Sequence, residues 1–192
     1  IWASAERPLT WMGTSVDGQP LTPRRGYPVE LQALWYNAVS YTLALARKYK
    51  DKAFVEAWAA EPAKTKESFI SKFWLKDGYL ADYVNDYETN DFRRSNMLVA
   101  CALDYSMLNE EQVMNVLGVV RQHLLTKRGI RSLSPRNPFY QPSYAEDQRS
   151  QDLASHNGAI WVWPLMFYVK CCFAIAGERF LSDAEELLAG FD

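Results

Sequence analysis

The stretch VELQALWYNAVSYTLALARKYK, residues 29–50, carries a long helical pattern that decides the fold class of this chain. Its mostly apolar positions recur three or four residues apart, which is the spacing of one face of an α-helix. The last turn is basic, where the helix macrodipole favours positive charge. The stretch therefore predicts one long helix, with a face made of Leu31, Leu34, Trp35, Ala38, Tyr41, Thr42 and Leu45.

Helical patterns continue on the C-terminal side of this stretch. Residues 51–75 form a second pattern, in which Pro62 predicts a break or a new start. Helical spacing resumes at about residue 92, and a capping box of Asn109 and Gln112 predicts a helix to about residue 125. The very apolar residues 159–176 predict a helix that stops at Gly177. We expect Ser182 to cap a short last helix.

Two segments interrupt the helices. Residues 78–91 break the helical period and predict a short strand that leads into an acidic loop. Residues 129–158 predict an extended loop of about thirty residues, a length that is commonly functional in compact domains. The count is about six helices in three antiparallel pairs, with polar loops after alternate helices. We therefore expect an all-α fold, a partial (α/α)6 barrel of about three helix pairs with long rim loops.

Charge and hydropathy exclude two classes of partner. The 192 residues have a net charge of −2 and a pI near 5.8, so no basic stripe is available for the phosphates of a nucleic acid. No apolar run reaches the ~20 residues of a membrane span, because Lys170 interrupts the best stretch. The N-terminal residues show no signal-peptide pattern and begin at Ile1 rather than Met. We expect residues 1–192 to be a fragment of one barrel domain that is truncated at both ends. The missing remainder of this barrel is then an expected partner of the fragment.

The cysteines and histidines indicate a reduced protein without a metal. Cys101, Cys171 and Cys172 are odd in number, and adjacent cysteines rarely bridge each other, so three free thiols in a cytoplasmic protein are expected. The chain has only His123 and His156 and no Cys-x-x-Cys, so no metal site is predicted. A glycine-rich phosphate loop is also absent, and no cofactor is expected.

One acidic stretch allows two interpretations; it contains Asp82, Asp86, Glu88 and Asp91. It could bind a divalent cation, but its spacing does not match the calcium loop of an EF-hand. Acidic runs in loops are more commonly solvated turns, and the sequence favours that interpretation.

Three polar and aromatic clusters remain, at residues 10–30, 129–152 and 155–164. Each combines aromatic rings with arginine, asparagine, histidine or carboxylate side chains. Carbohydrate sites need that mixture, because a pyranose has apolar faces and a polar edge. The clusters predict a pocket for a small molecule or a sugar.

At these clusters the sequence resembles the C-terminal amylo-α-1,6-glucosidase domain of glycogen debranching enzymes. LTWMG, VDG and LTPRRGYPVELQALWYNA are similar to a family segment with Thr-Trp-Met-Asp, Thr-Pro-Arg and Val-Glu-x-x-Ala-Leu-Trp-Tyr-Asn. GIRSLSPRNPFY and HNGAIWVWP resemble its Leu-Arg-(Ser/Thr)-Leu-Ser-Pro loop and its His-Gln-Gly-x-x-Trp-x-Trp helix start. FRRSNMLVACAL is similar to its Arg-Pro-Asn-Gln segment, from which Ser95 and Met97 depart. The motifs follow the family order over nearly the whole chain.

The resemblance implies an (α/α)6-barrel glucosidase that hydrolyses the α-1,6-linked glucose stub of a trimmed glycogen branch, with inversion. Inversion needs one protonated carboxyl group and one base, roughly 6.5–9.5 Å apart. The family aspartate that fits the acid role corresponds to Gly13, which cannot transfer a proton. Glu30 remains as a catalytic candidate, although its motif position fits loop orientation or sugar binding better. The resemblance implies sugar contacts from Trp11, Arg24, Glu30, Trp35, Arg131, Tyr144, His156 and Trp161. Of these, Trp11, Trp35, Tyr144, His156 and Trp161 are expected on one rim of the barrel.

Three functions stay open at this point. The first is a debranching-type glucosidase acting on branched α-glucan, with the present fragment inactive because a barrel half and at least one carboxylate are missing. The second is a non-catalytic glucan-binding or scaffold relative that has lost the acid at Gly13. The third is a toroid epimerase or lyase on another sugar, which predicts a histidine at the centre of the pocket, and only His156 fits.

Overall fold

A computed structural model describes residues 1–4, 10–143 and 147–191 of the chain. Most of this part is helical, and a single 3-10 turn at Gly177–Phe180 joins the last two helices. The α-helices are α1 Val29–Lys48, α2 Lys52–Trp58, α3 Glu61–Phe73, α4 Met97–Ala102, α5 Glu110–His123, α6 Gln148–Asn157, α7 Trp163–Ala176 and α8 Leu181–Ala189.

Helix α1 confirms the long helix predicted from residues 29–50, but its buried face differs from the prediction. The buried positions include Val29, Ala33 and Leu43, whereas Leu34 and Tyr41 are exposed. Helix α1 packs against α2, α3 and α4. Small side chains such as Ala33 allow close approach of neighbouring helices, so the large residues of the predicted face are turned outward.

Three small antiparallel sheets make the prediction of an all-α fold only approximate. The strand pair β1 Ser15–Val16 and β2 Gln19–Pro20 forms a hairpin ahead of α1. The second sheet has the order β3 Tyr27–Pro28, β4 Tyr83–Val84, β5 Thr89–Asn90, and the third has the order β6 Leu125–Thr126, β7 Gly129–Arg131, β8 Ile160–Trp161. The short strand predicted within residues 78–91 is confirmed by β4. The second and third sheets each join a loop ahead of one helix to a loop ahead of another helix.

Residues 129–158 are not the continuous loop that the sequence predicts. Strand β7 occupies their start, and helix α6 occupies their end. Asp147 begins α6 because its side chain accepts a hydrogen bond from the backbone N–H of Ser150 at 2.9 Å. The predicted helix over residues 159–176 begins only at Trp163, because Ile160–Trp161 pairs with β7. The helix stops before Gly177, as predicted, and Gly177 has a φ of 57°.

The other predicted helix boundaries have mixed outcomes. Pro62 lies in the first turn of α3, so of the break or new start that the sequence predicts there, the structure has a new start. The capping box of Asn109 and Gln112 is present at α5. Ser182 does not cap the last helix: α8 starts one residue earlier, out of the 3-10 turn, and no side chain caps it.

Helix α4 forms the centre of the core, and all six of its residues are buried. It packs against α1, α5 and α7, so the residues just before it are held by the surrounding helices. Cys101, Cys171 and Cys172 are buried and free, as the sequence predicts. No helix in the described part of the chain is long and apolar enough to span a bilayer.

Candidate functional site

Arg24 lies at the centre of a buried ion-pair network at the entry to α1, where it is 6% exposed. Its Nη1 and Nη2 atoms donate to Oε1 and Oε2 of Glu30 at 2.5 and 2.7 Å, which occupies both carboxylate oxygens. Its Nε and Nη2 atoms donate to Oδ2 and Oδ1 of Asp82 at 2.8 Å each. One planar guanidinium thus orients and neutralises two buried carboxylates.

The electrostatics of this network favour a positioning role for Glu30. Burial alone would lower the pKa of Arg24, but the charges of Asp82 and Glu30 raise that pKa above its ordinary value. A general acid must hold a proton that it can give to the substrate. Both oxygens of Glu30 instead accept hydrogen bonds from a permanently charged guanidinium, so this carboxylate is suited to hold Arg24 in place.

Asp82 extends the network toward the opening loop. Its Oδ1 atom also accepts a hydrogen bond from Nδ2 of Asn96 at 2.8 Å. Oδ1 of Asn96 accepts a hydrogen bond from Nε1 of Trp11 at 2.7 Å. We call the set Arg24, Glu30, Asp82 and Asn96 the Arg24 network. It joins the loop before α1, the strand β4 region and the start of α4, and it fixes the indole of Trp11.

Gly26 allows the loop that carries Arg24 to lie directly against the strand region that carries Asp82. Its φ is +135°, a backbone angle that residues other than glycine rarely adopt. A Cβ added at this position would lie 2.4 Å from the backbone oxygen of Val84. The close approach therefore requires glycine, and it brings Arg24 within hydrogen-bond distance of its acidic partner.

Arg94 links this region to helix α6. Its Nη1 atom donates to the backbone carbonyl of His156, and its Nη2 atom donates to Oδ1 of Asn157 at 2.8 Å. Its Nε atom lies 3.5 Å from Oδ2 of Asp82 and has no hydrogen-bond partner among the described residues. Burial lowers the pKa of Arg94 to about 10, an effect that Asp82 opposes and Arg24 reinforces. The buried Nε–H of Arg94 thus has the carboxylate of Asp82 as its nearest charged neighbour, at the outer limit of an ion pair.

His156 is a neutral, hydrogen-bonded histidine beside the opening loop. Its Nδ1 and Nε2 atoms lie 2.7 and 3.4 Å from Oγ1 of Thr22 and Thr14. Because Thr22 donates its hydroxyl proton to the carbonyl of Met12, it accepts from Nδ1–H of the imidazole, which assigns the tautomer. Burial, with repulsion from Arg94, lowers the pKa of His156 to about 4. The ring is therefore uncharged near neutral pH.

The indole of Trp11 packs edge-on against a group of aromatic rings. Its centroid lies 5.9 Å from that of His156, 6.0 Å from that of Trp161 and 5.2 Å from that of Trp163. The structure thus brings the first and third sequence clusters together. Gly13 lies next to this aromatic group, because it follows the buried Met12 and precedes Thr14, whose hydroxyl lies near the His156 ring.

A cavity of about 780 Å³ opens beside the Arg24 network, within the ~300–1,000 Å³ range of small-molecule sites. Its charged and amide side is formed by Arg24, Asp82, Arg94 and Asn157. Its aromatic side is formed by Tyr83, Phe92, Phe139 and Tyr140. A pyranose needs both kinds of surface, because its faces are apolar and its edge carries hydroxyl groups. The cavity can therefore bind a sugar-like ligand.

The eight residues that the resemblance implies as sugar contacts fall into distinct places. Arg24 lines the cavity, and Glu30 holds the guanidinium of Arg24 by accepting its hydrogen bond. Trp11, His156 and Trp161 form the aromatic group next to the cavity without lining it. Nε of Arg131 donates to the hydroxyl of Tyr140, a cavity residue, at 3.2 Å.

Trp35 lies away from the cavity, and Tyr144 lies outside the described residues. Trp35 is 38% exposed on α1, and its ring contacts Trp58 of α2 with a centroid distance of 6.1 Å. It does not line the cavity. The helical register that buries Glu30 at the start of α1 turns the side chain of Trp35 toward α2.

Asp82, Arg94, Asn96 and Asn157 lie in or beside the Arg24 network although the sequence motifs did not predict them as site residues. Arg94 and Asn96 belong to the segment that resembles Arg-Pro-Asn-Gln, which provides a usable signal for both. Asp82 stands within the apolar run Leu80, Ala81, Tyr83 and Val84, and an acid in such a run is the signal for a buried, paired carboxylate.

The solvated-turn prediction is wrong for Asp82 and holds for its neighbours. Asp82 is 2% exposed, whereas Asp86, Glu88 and Asp91 are exposed. The difference arises because Arg24 neutralises Asp82 in the interior, while the other three carboxylates face water. In the described part of the chain, no group of three or more His, Cys, Asp or Glu residues is arranged to hold a metal ion.

The described residues have a mostly helical fold with three small antiparallel sheets added at the loops. The structure is similar to neutral trehalase Nth1 from Saccharomyces cerevisiae, with a TM-score of 0.56 and 14% sequence identity. The match covers 83% of this chain and 30% of the trehalase chain. At this identity the likeness shows the fold alone.

The chain belongs to the amylo-alpha-1,6-glucosidase family, because a family model of that description matches residues 1–192. The match confirms the resemblance drawn from the sequence motifs, and it makes the chain a glycoside hydrolase-type domain.

Proposed function

We propose that the full-length protein binds a glycogen-like α-glucan and releases the α-1,6-linked glucose of a trimmed branch. The observation that carries this proposal is the cavity, which Arg24, Asp82 and Arg94 line together with aromatic rings in a chain of this family. Hydroxyl groups of the terminal glucose would bind to the charged and amide side chains of the lining. The apolar faces of the sugar would pack on the aromatic side.

The proposal gives the predicted contact residues different tasks. Arg24 contacts the sugar, and Glu30 orients Arg24 through two hydrogen bonds. Arg131 holds the ring of Tyr140 at the cavity. Trp11, His156 and Trp161 hold the opening loop against α6 and β8, so they act on the sugar through that loop.

We further propose that residues 1–192 alone do not hydrolyse glucan. Inversion needs two carboxyl groups, one of which must carry a proton. Asp82 lines the cavity, but its two oxygens accept hydrogen bonds from Arg24 and Asn96. Glu88 also lines the cavity, where Tyr83 donates a hydrogen bond to it. Gly13 has no side chain, so the position that resembles the family acid supplies no proton.

A second function is a glucan-binding or scaffold protein without catalysis, and Gly13 is the observation that favours it. The cavity and its aromatic side do not depend on a carboxylate at that position. A protein of this kind would keep affinity for branched α-glucan while releasing no glucose.

Glucose release from a branched limit dextrin by the full-length protein tests both functions. We would compare the wild type with Gly13→Asp, and with Ser15→Asp as a control that places a carboxylate at an exposed position of the same loop. Release by the wild type supports the glucosidase and rules out the non-catalytic relative. Glucan binding without release, with activity gained only in Gly13→Asp, supports the non-catalytic relative. Absence of both binding and release rejects both functions.

The proposal includes the location and the partners expected from the sequence. The free, buried cysteines support a cytoplasmic location. The expected partners are a branched α-glucan, such as glycogen or limit dextrin, and the remainder of the barrel. The 30% coverage of the trehalase chain supports a longer domain.

A further inference from the structure

A second cavity lies between helix α8 and the segment that runs from the end of α5 into β6. Its volume is about 370 Å³, at the lower end of the ~300–1,000 Å³ range of small-molecule sites. Among the described residues, it shares no lining residue with the cavity beside the Arg24 network. We call this second cavity the α8 cleft.

The two walls of the α8 cleft carry opposite charges. Arg121 of α5 and Lys127 of the β6–β7 turn form a basic wall. Asp183 and Glu186 of α8 form an acidic wall. In the described part of the chain, none of these four side chains takes part in an ion pair. Helix dipoles explain the charges in the last turn of α5 and the first turn of α8, but they do not explain Lys127 or Glu186.

The floor of the α8 cleft is apolar and buried. Tyr168 and Phe180 line it, and their ring centroids lie 6.4 Å apart with the planes at 69°. Leu125 and Leu187 complete the apolar lining. An apolar group placed on this floor would be removed from water on several sides, which favours its binding.

The hydroxyl of Tyr168 lies within electrostatic range of both walls. Burial, followed by the neighbouring Cys172, raises the pKa of Tyr168. The charge of Arg121 lowers this pKa and the charge of Asp183 raises it, so the same hydroxyl senses one cation and one anion. A ligand that rests on this ring is therefore close to both charged walls.

The position of α8 is fixed at both of its ends, so the cleft is preformed. Phe180, just before α8, packs edge-on against Phe173 of α7 with ring centroids 5.2 Å apart. Just after α8, a Cβ added to Gly190 would clash with the backbone oxygen of Lys127, so this close approach requires glycine. The gap between the walls is thus set by the packing of the helix ends.

We propose that the α8 cleft binds a zwitterionic α-amino acid with an apolar side chain. The carboxylate of the ligand pairs with the basic wall, its ammonium group pairs with the acidic wall, and its side chain packs on the floor. An anion alone would also meet the acidic wall, and a cation alone would also meet the basic wall, so a ligand with both charges matches the cleft. The site lies outside the glucan cavity and does not rest on the proposed glucan function.

Saturation-transfer NMR titrations of the full-length protein test the site with three probes that share one carbon skeleton. The probes are L-leucine, 4-methylpentanoate, which lacks the ammonium group, and 3-methylbutylamine, which lacks the carboxylate. L-leucine should bind with a dissociation constant on the order of 1 mM, because the four charged side chains are exposed and such ion pairs contribute little each. Each probe with one charge should bind at least about fivefold more weakly.

Charge-neutralising variants test each wall separately. Arg121→Gln should weaken L-leucine binding about fivefold and leave 3-methylbutylamine within about twofold, because that probe has no carboxylate for the basic wall. Asp183→Asn should weaken L-leucine binding equally and leave 4-methylpentanoate within about twofold. Arg128→Gln and Glu185→Gln are the matched controls, because both residues are exposed beside the cleft and do not line it.

Each outcome decides for or against the site. The selective losses described above support it, whatever the protein does with limit dextrin. Absence of L-leucine binding at about 10 mM, equal binding of the three probes, or an equal loss in the control variants overturns it. L-leucine binding that neither wall variant changes also overturns it. A double-mutant cycle on urea unfolding that finds Arg121 and Asp183 coupled without a ligand overturns it as well, because the walls would then neutralise each other.

Discussion

The indole Nε1–H of Trp11 donates a hydrogen bond to Oδ1 of Asn96 at 2.7 Å, across 85 positions of the chain. The other end of the Asn96 amide donates to Oδ1 of Asp82 at 2.8 Å. One amide group therefore joins the opening loop to the Arg24 network, and its removal affects two partners at once.

Asn96→Ala should lower the free energy of unfolding by about 2 kcal/mol, because it leaves the indole N–H of Trp11 without its acceptor and removes one of the two donors to Oδ1 of Asp82. Urea unfolding followed by circular dichroism measures the loss. Asn115→Ala makes the same chemical change at an exposed position of α5, and it should leave the stability almost unchanged. An equal effect of the two variants would show that the amide bridge contributes nothing specific.

Arg24→Lys should cost about 3 kcal/mol of unfolding free energy, although it keeps the positive charge. A lysine cannot donate to Glu30 and Asp82 with the paired geometry of a guanidinium, so buried carboxylate oxygens lose their donors. Chemical denaturation of this variant and of Arg25→Lys gives the comparison. Arg25 is exposed, so its replacement should be neutral. A neutral Arg24→Lys would contradict the network as a stabilising unit.

Gly26→Ala should destabilise the protein by more than about 2 kcal/mol, because the added Cβ meets the backbone of Val84 and a strained φ at once. The matched variant is Gly118→Ala in α5, where an added Cβ meets no atom within 4 Å. That change should stabilise the protein by about 0.5–1 kcal/mol through helix propensity. Thermal unfolding of both variants should therefore shift in opposite directions, and a shift in the same direction would refute the close-approach argument.

The buried imidazole of His156 should make stability depend on pH. Burial lowers the pKa of His156 from 6.5 to about 4, so the unfolded chain binds a proton more readily between these values. The contribution of His156 to the free energy of unfolding should thus have its maximum value above pH 6.5, and it should be lost as the pH decreases toward about 4. The expected loss is on the order of 2 kcal/mol, since one pKa unit is about 1.4 kcal/mol and solvent screens part of it.

Urea titrations at several pH values between these limits measure the slope. His156→Gln should flatten it, whereas His123→Gln should retain most of it, because His123 is only half-buried and the lowering of its pKa by burial, Arg93 and Arg136 is not the large shift found for His156. An unchanged slope in His156→Gln would mean that other groups set the acid sensitivity.

Local features of the fold could be predicted from the sequence, and distant pairings could not. The capping box of Asn109 and Gln112 involves neighbours along the chain, so the sequence alone predicts it. The burial of Asp82 depends on Arg24, 58 positions away, and nothing close to Asp82 in the sequence reveals that partner. The same holds for the outward turn of Trp35, which is set by how α1 packs against α2 and α4.

The candidate site follows the same division. Arg24, Trp11, His156 and Trp161 lie in motifs that resemble the family, and the structure has Arg24 at the cavity and the three rings together. Phe92 and Phe139 also lie in such motifs, but the motifs do not reveal that the two rings meet, because the loops that carry them are distant in the sequence. Their contact is a property of the tertiary structure.

The Arg24 network also has a consequence for the order of folding. Its members come from segments between Trp11 and Asn96, and Arg94 adds a link to Asn157, 63 positions further along the chain. Contacts between such distant positions require the closure of long loops, which delays their formation relative to helices. Substitutions in the network should accordingly speed unfolding more than they slow folding. The binding surface would then be the last part of the domain to assemble and the first to come apart.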